Sequence, residues 1–442
     1  PILEKMKTFI LKAAVPLTTG GVHTPNHRWV ISAALAQINQ LYPNKRYVAR
    51  IEDWLGEGIF MDIDGHYPER SMTYSFVENK SFLTMGRLLN KSTLFKPVRK
   101  NLEMTYYYME PGGDLVTTDS RRQDQYMSKN IVSWYLLYRH FAISDNNRQF
   151  AAMAKLIEQL EGFEEAILNQ SLFYFLETPL LQNELPAPST LPDNYEKLFT
   201  TSHLARIRRA NTTTTLFGGV DWPLTIASGR SNSPNFFSYR KGNAVLEYLR
   251  LSTDFFSSGY FYSEGLRKEG VKYILHKKLE VPYYQPLPKQ LRNSKGDYTL
   301  SPSIDGRFWN KMAFDKRPVS NIKTLETMVN FTENKDRNEL TFFITGMKGV
   351  AVTIELCFKE GGTLSGMAAS NPSNGNHFLE KGEGKYEYKG DTIRFGPGTT
   401  VSKKIDHLEG ERYSTHFGSL RTEGMHVYLT GITPFNHSLY FY

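Results

Sequence analysis

Apolar residues recur with two different periods along this chain. In the first half, Phe95, Val98, Leu102, Tyr106 and Met109 fall at i, i+3, i+7, i+11 and i+14, one face of a 3.6-residue helix. Phe150, Met153, Ile157 and Leu160 repeat the pattern, and Ile31, Leu35, Ile38 and Leu41 form a third stripe. Polar joints such as Ser144-Asp145-Asn146-Asn147 separate them. Successive helices on short joints pack antiparallel, as in bundles or toroids. In the second half the period becomes two. Ala244 to Leu251, Val271 to Val281, Glu339 to Ile344 and Ala351 to Phe358 are rich in β-branched and aromatic residues and read as strands. Gly/Asn/Ser/Pro turns part them, notably Asn371-Pro372-Ser373-Asn374-Gly375-Asn376. A helical block followed by a strand block predicts two segregated domains, α then β. Thr212 to Thr215 and Gly229 to Pro234 break the helical period, so the boundary falls between about Thr212 and Tyr239 and is drawn as 1–225 and 226–442.

Composition narrows the classes of function. A chain of 442 residues exceeds one ordinary core and suits two domains. Lysine plus arginine number 53 against 45 acidic residues, a net +8, with no run of five basic residues. That dispersed excess argues against a nucleic-acid partner and suits an anionic substrate in a charged cleft. The 26 Tyr, 28 Phe and 5 Trp can stack on sugar rings, although most belong in a core. One cysteine, Cys357, excludes internal disulfides and cysteine-rich zinc modules, and reads as a structural thiol. No stretch of 18 apolar residues spans a membrane. The chain starts at Pro1 without a charged-then-apolar leader, as a processed or truncated product does. The compartment is left nearly open, with periplasm or secretion slightly ahead of cytoplasm.

Candidate chemistry begins at Thr24-Pro25-Asn26-His27-Arg28-Trp29. Thr24 is a good N-cap and Pro25 a good first helical residue, which puts Asn26 and His27 in the first turn. Free N–H groups and the helix dipole there favour negative charge, so an amide and a histidine can grip a carboxylate. The dipole also disfavours imidazolium and keeps His27 available as a base. The plain alternative is a helix start that its polar residues merely cap. A second segment runs Asp64-Gly65-His66-Tyr67-Pro68-Glu69-Arg70-Ser71-Met72-Thr73-Tyr74. Asp-Gly makes a turn, and Pro68 is expected to open the helix carrying Tyr74, Val77 and Leu88. Arg70 and Tyr74, four apart, would share one helical face, and a cation beside a phenol favours its proton exchange. An ordinary aromatic helix start with a surface arginine is the competing reading.

Together these two segments resemble the toroid polysaccharide lyases, in particular the heparinase II/III-like group and the toroid alginate lyases. Asn26 and His27 match the Asn-His pair, and Tyr74 matches the tyrosine after the Asp-Gly turn, 47 positions beyond His27. The resemblance implies an incomplete or complete (α/α) toroid followed by an antiparallel β-sandwich. It also implies β-elimination at a uronic acid that leaves a 4,5-unsaturated end, with an acidic polysaccharide as partner and no metal or organic cofactor. Physically, Asn26 would neutralise the carboxylate beside the developing carbanion. His27 or Tyr74 would take the C5 proton, and Tyr74 would protonate the departing oxygen. The motif match is confined to residues 24–74.

A third cluster, Ser120-Arg121-Arg122-Gln123-Asp124-Gln125-Tyr126, suits carboxylate or sulfate through Arg121, Arg122 and Gln123, or is a solvated helix start. Arg28, Glu69 and Arg70 complete the substrate-binding candidates. His203 is a candidate for a further lyase histidine, and Arg206, Arg208 and Arg209 beside it read as a surface face. Asp221-Trp222 and Tyr260-Phe261-Tyr262 are candidates to reach the cleft, with core packing the plainer fate of the latter. His276, His377, His407, His416, His426 and His437 show no tight ligand spacing, which leaves a structural zinc only as a secondary possibility. Two other functions fit the same residues. A toroid glycoside hydrolase needs two facing carboxylates, for which Asp62, Asp64, Glu69 and Asp124 are candidates. A non-catalytic glycan-binding protein needs the aromatics and arginines but no proton-transfer pair.

Overall fold

The computed structural model describes residues 1–125, 127–219, 233–302, 309–334, 337–367, 377–403 and 423–442. Asp221-Trp222, the turn Asn371 to Asn376, Tyr126, His407 and His416 lie outside them. The chain divides into two compact units, Pro1–Thr201 and Ser202–Tyr442. This division precedes the expected 225/226 boundary because Leu204–Arg209 and Thr212–Phe217 already pair as strands of the second unit. The threonine run at 212–215 does break helical periodicity, as β-branched residues do. What it breaks into is sheet.

The first unit is helical: α1 (Ile2–Thr19), α2 (Pro25–Leu41), α3 (Lys45–Gly56), α4 (Met72–Leu88), α5 (Phe95–Tyr108), α6 (Tyr135–Ser144), α7 (Arg148–Ile157), α8 (Phe163–Gln170) and α9 (Leu172–Glu177), before the strand Asn194–Phe199. The α5 stripe is buried as expected at Val98, Leu102, Tyr106 and Met109. The α2 stripe is not. Its buried face runs through Asn26, Trp29, Ser32, Ala33, Leu35 and Ala36, while Leu41 is 64% exposed. The bulk of Trp29 sets the orientation, its ring meeting that of Phe82 on α4 at 5.0 Å and a 50° tilt, and the small residues Ser32, Ala33 and Ala36 lie on the same face. Gly86 serves the next contact: a Cβ there would meet the Phe95 ring at 2.2 Å.

The helix carrying Tyr74 starts later than Pro68. Ser71 is its N-cap, accepting from the Tyr74 amide at 3.1 Å, and α4 begins at Met72. Residues Pro68 to Arg70 form a turn closed by Arg70 N–H donating to Tyr67 C=O, with Arg70 at φ 49°. A capping hydroxyl competes well for the first free N–H groups, and a proline does not. Ahead of it, Gly65 takes φ +102°, and the Asp62 carboxylate accepts from the N–H groups of Asp64, Gly65 and His66 at 2.8–3.0 Å.

The second unit holds two main sheets. One runs Leu204–Arg209, Thr212–Phe217, Phe237–Lys241, Ala244–Thr253, Ala351–Phe358, Met425–Ile432, His377–Phe378. The other runs Thr363–Ser365, Gly384–Tyr388, Asp391–Gly396, Phe435–Phe441, Asn338–Gly346, Val319–Glu333, Lys272–Tyr284, Leu266–Glu269. Neighbours are antiparallel, except that His377–Phe378 lies parallel to Met425–Ile432, so the first sheet is mixed. Asn338–Gly346 alternates buried and half-buried residues before its exposed end, and its buried set faces the core. Phe237 from the first sheet meets Phe331 and Phe441 from the second at 5.9 and 5.1 Å, and Phe358 meets Phe395 at 4.8 Å. The two sheets therefore pack their apolar faces together through these rings.

Candidate active site

The first unit joins five of the sequence-derived candidates in one connected network. Pro25 at the first position of α2 places Asn26 on the buried face, 2% exposed, where its Nδ2 donates to Glu69 Oε2 at 2.7 Å. The other oxygen, Glu69 Oε1, pairs with Arg122 Nη1 at 2.9 Å. The Arg122 guanidinium lies 4.6 Å from the centre of the Tyr74 ring, and its Nη2 reaches the phenolic oxygen at 3.4 Å. Gln123 Nε2 donates to the same oxygen at 2.5 Å. Asn26, Glu69, Arg122, Tyr74 and Gln123 are thus linked from the start of α2 to the start of α4.

A frame of buried polar groups holds that network. Asp124, 2% exposed, accepts from Ser71 Oγ at 2.7 Å, from the Thr73 amide at 3.1 Å and from Ser120 Oγ at 2.5 Å. It thereby ties the cap of α4 to the loop carrying Arg122 and Gln123. Arg121 clamps the same turn, with its amide donating to Glu69 C=O and its Nη1 to Pro68 C=O at 2.9 Å. Arg121 is bonded to backbone, and Arg122 is the arginine that meets Tyr74.

Other candidates fall elsewhere. Arg70 does not share a face with Tyr74, because it precedes the helix; its Nη2 donates to Thr201 C=O at 2.5 Å. The cation beside the phenol is Arg122. Arg28 pairs with Glu57 at 2.5 Å and lies 4.6 Å from the Trp29 ring centre. His27 is half-buried, and its ring meets His23 edge-on at 5.1 Å. Among the described residues its ring nitrogens have no hydrogen-bond partner. His203 belongs to the second unit, at φ 53°, where its C=O accepts from Gly218 N–H.

Four polar groups, Glu78 and the trio His66, Tyr108 and Asp119, were not singled out from sequence. Glu78 on α4 is fully buried, and neither carboxyl oxygen has a hydrogen-bond partner. Burial, then the like charge of Glu69, pushes its carboxyl well above the usual range, against the smaller opposing effect of Arg28. The signal for it was present: Ser75, Glu78, Phe82 and Met85 follow the helical period along the buried stripe of α4. His66 Nε2 meets Tyr108 OH at 3.0 Å, and that hydroxyl donates to Asp119 at 2.7 Å. Burial lowers the His66 value and raises that of Asp119. This trio is brought together by tertiary packing from three separate segments, and no local spacing announces it.

Two chemical capacities follow. The Tyr74 oxygen accepts from Gln123 and Arg122, while its own O–H has no acceptor among the described residues. The phenol is therefore free to pass its proton to a ligand. Asn26 and Arg122 each give one donor to Glu69, and the remaining N–H groups of the Arg122 guanidinium, beside the Tyr74 hydroxyl, are the ones placed for an anionic group. As to metals, among the described residues no group of three or more His, Cys, Asp or Glu side chains is arranged to hold a metal ion. Among them also, no helix is long and apolar enough to cross a membrane.

No protein-family model matches the chain, and no curated protein matches it by sequence. Solved structures do. A mutant of the heparan sulfate lyase HepC from Pedobacter heparinus superposes with a TM-score of 0.51 at 9% identity, over 100% of this chain and 63% of that one. A xanthan lyase from Paenibacillus gives 0.50 at 12% identity, over 95% of this chain and 44% of that one. The chain spans less than two thirds of the length of either structure.

Proposed function

The chain has a polysaccharide-lyase-like fold, a helical region followed by antiparallel and mixed sheets, and from that premise we propose that it cleaves a uronic-acid polysaccharide by β-elimination. One observation carries the reading: the link Asn26–Glu69–Arg122–Tyr74, which ties a carboxylate-gripping amide to a phenol with a transferable proton. The C5 proton of a uronate is hard to remove because a carboxylate anion sits beside the forming carbanion. Asn26 and Arg122 neutralise that charge as it spreads into the enolate. The base takes the proton: either an unprotonated ring nitrogen of His27, with Tyr74 as neutral phenol, or Tyr74 itself starting as phenolate and returning the same proton later. The electron pair of the C5–H bond then forms the C4–C5 double bond, the C4–O bond breaks, and Tyr74 gives a proton to the departing oxygen. Glu69 is a positioning residue, holding Asn26 with one oxygen and Arg122 with the other. The partner is the acidic polymer itself, and its sugar is set by groups the substrate brings. No cofactor enters this scheme.

The hydrolase reading needs a pair of free carboxylates across a scissile bond. Its candidates are occupied: Asp62 holds a turn and Thr201, Asp64 accepts from the Thr201 amide at 2.8 Å, Asp124 holds the α4 cap, and Glu69 pairs with Arg122. The test is a screen of glucuronate-, iduronate- and alginate-type polymers, followed by ultraviolet absorbance. Elimination yields a conjugated enoic acid that absorbs; cleavage without new absorbance rejects the lyase reading. A pure binding protein is separated by Tyr74→Phe, which leaves a binder unchanged and stops a lyase that still binds.

A further inference from the structure

Glu78 lies one helical turn beyond Tyr74 on α4, on the buried side of that helix, and is wholly shielded from solvent. Neither of its carboxyl oxygens has a hydrogen-bond partner among the described residues. An ionised carboxylate there would lose its water and receive no donor in return, so the geometry itself keeps the proton on Glu78. An apolar side chain of similar volume would fill the space without that cost to stability. The neighbouring charges are few. Glu69, in the turn before α4, acts on Glu78 as a like charge, and Arg28 of α2 opposes it more weakly while paired with Glu57. The Tyr67 phenol, from the same turn, is neutral and donates to Asn79. Against the other side of α4, the turn Ser92–Leu94 carries no charge. The titratable groups on the buried face of α5 are the phenols of Tyr106 and Tyr108, bonded to Pro192 C=O and to Asp119.

We propose that Glu78 is a positioning residue that sets the charge of the Asn26–Tyr74 site: Glu69 and Glu78 together hold a single negative charge, which leaves Arg122 able to receive the carboxylate of an acidic sugar. The role rests on the elimination reading given above. With Glu78 neutral, the charges of Glu69 and Arg122 cancel, and the free N–H groups of Arg122 face the substrate. Loss of the Glu78 proton to solvent puts a second anion behind Glu69. The site then becomes net negative, competes with the substrate for Arg122, and repels an incoming carboxylate. The effect falls on binding of the acidic sugar, so it appears in KM.

The test compares the parent with Glu78→Gln, which keeps the shape and cannot ionise, on the uronate polymer that the parent cleaves. Turnover is followed by ultraviolet absorbance from neutral to alkaline pH, with circular dichroism checking the fold at each pH. In the parent, KM at alkaline pH is expected to exceed KM at neutral pH by about tenfold or more, and in Glu78→Gln that ratio is expected to fall to within about twofold. Alkaline changes common to both proteins belong to other groups. Infrared spectra report the proton without any turnover: the carbonyl band of a protonated carboxyl is expected in the parent at neutral pH and lost in Glu78→Gln. A rise in KM that survives in Glu78→Gln, no rise in the folded parent, or no band lost in the variant overturns the role of Glu78. A parent that shows the band and cleaves no uronate polymer overturns the elimination reading instead, and this role with it.

Discussion

Arg122 stands between a carboxylate and a phenol, and a guanidinium does there what an ammonium does not. One of its nitrogens pairs with Glu69 at 2.9 Å, and its central carbon lies 4.6 Å over the centre of the Tyr74 ring. Arg122→Lys keeps the charge and loses the planar fit. Turnover of an acidic polymer is expected to fall by about tenfold or more with a smaller change in KM, as for a group whose contribution grows toward the transition state. Equal losses in binding and turnover would make Arg122 a simple binding residue. Cys357 marks the other extreme of reactivity. It is buried, its Sγ lies 3.2 Å from Glu423 C=O, and burial pushes its thiol up to about 12. Thiolate is the reactive form, so Cys357 is expected to resist alkylation near pH 8 in the folded protein and to react once denatured. Rapid labelling of native protein would contradict this burial. At this scale the sequence was legible where chemistry is local: the Asn-His helix start and the segment ending at Tyr74 both enter the network or border it. It was misleading at Arg70, because a spacing of four places residues on one face only if both are helical.

Element α4 carries the consequences of an inward-facing charge. Glu78 holds its proton to higher pH when folded than when unfolded, which gives a definite sign to its pH dependence. Below the ordinary glutamate range both states hold the proton, and Glu78 has no linkage effect. Above it the unfolded chain loses the proton while the folded one keeps it, so stability falls as pH rises toward the raised folded value. Glu78→Gln removes that titration. The variant is expected to be more stable than the parent at pH 8 by roughly 1 kcal/mol or more, with the gap shrinking at pH 4.5, by thermal denaturation. A gap that grows on acidification would reverse the sign and remove the account of Glu78. Element starts and faces also show how far pattern reading reaches. The strand Ala351–Phe358 and the buried stripe of α5 were legible because one period dominates each. On α2, Ile31, Ile38 and Leu41 satisfy the same rule, yet the helix buries Trp29 and its small neighbours, since one large ring and close packing outweigh scattered aliphatics. The start of α4 depended on the Ser71 hydroxyl, a cap that lies inside a run of other plausible starts.

For the whole molecule, the order of helices then sheets was legible from the change of period. The position of the division was less so, because a polythreonine strand resembles a linker by composition. The cluster His66, Tyr108 and Asp119 was not legible, since tertiary packing brings it together from three separate segments. The net charge of +8 supplies a prediction of its own: association with an acidic polymer is expected to weaken as salt rises from low to physiological ionic strength, through screening of the steering field. Salt-independent association, measured by titration, would assign recognition to apolar contacts instead. The central claim is that Tyr74 passes a proton during elimination from a uronate. Its most direct test follows ultraviolet absorbance while a cleaved uronate polymer is mixed with the parent protein or with Tyr74→Phe. Rising absorbance with the parent, and a rate at least about a hundredfold lower with a variant that still binds the polymer, is the predicted result. Rising absorbance at the parental rate from Tyr74→Phe would contradict it.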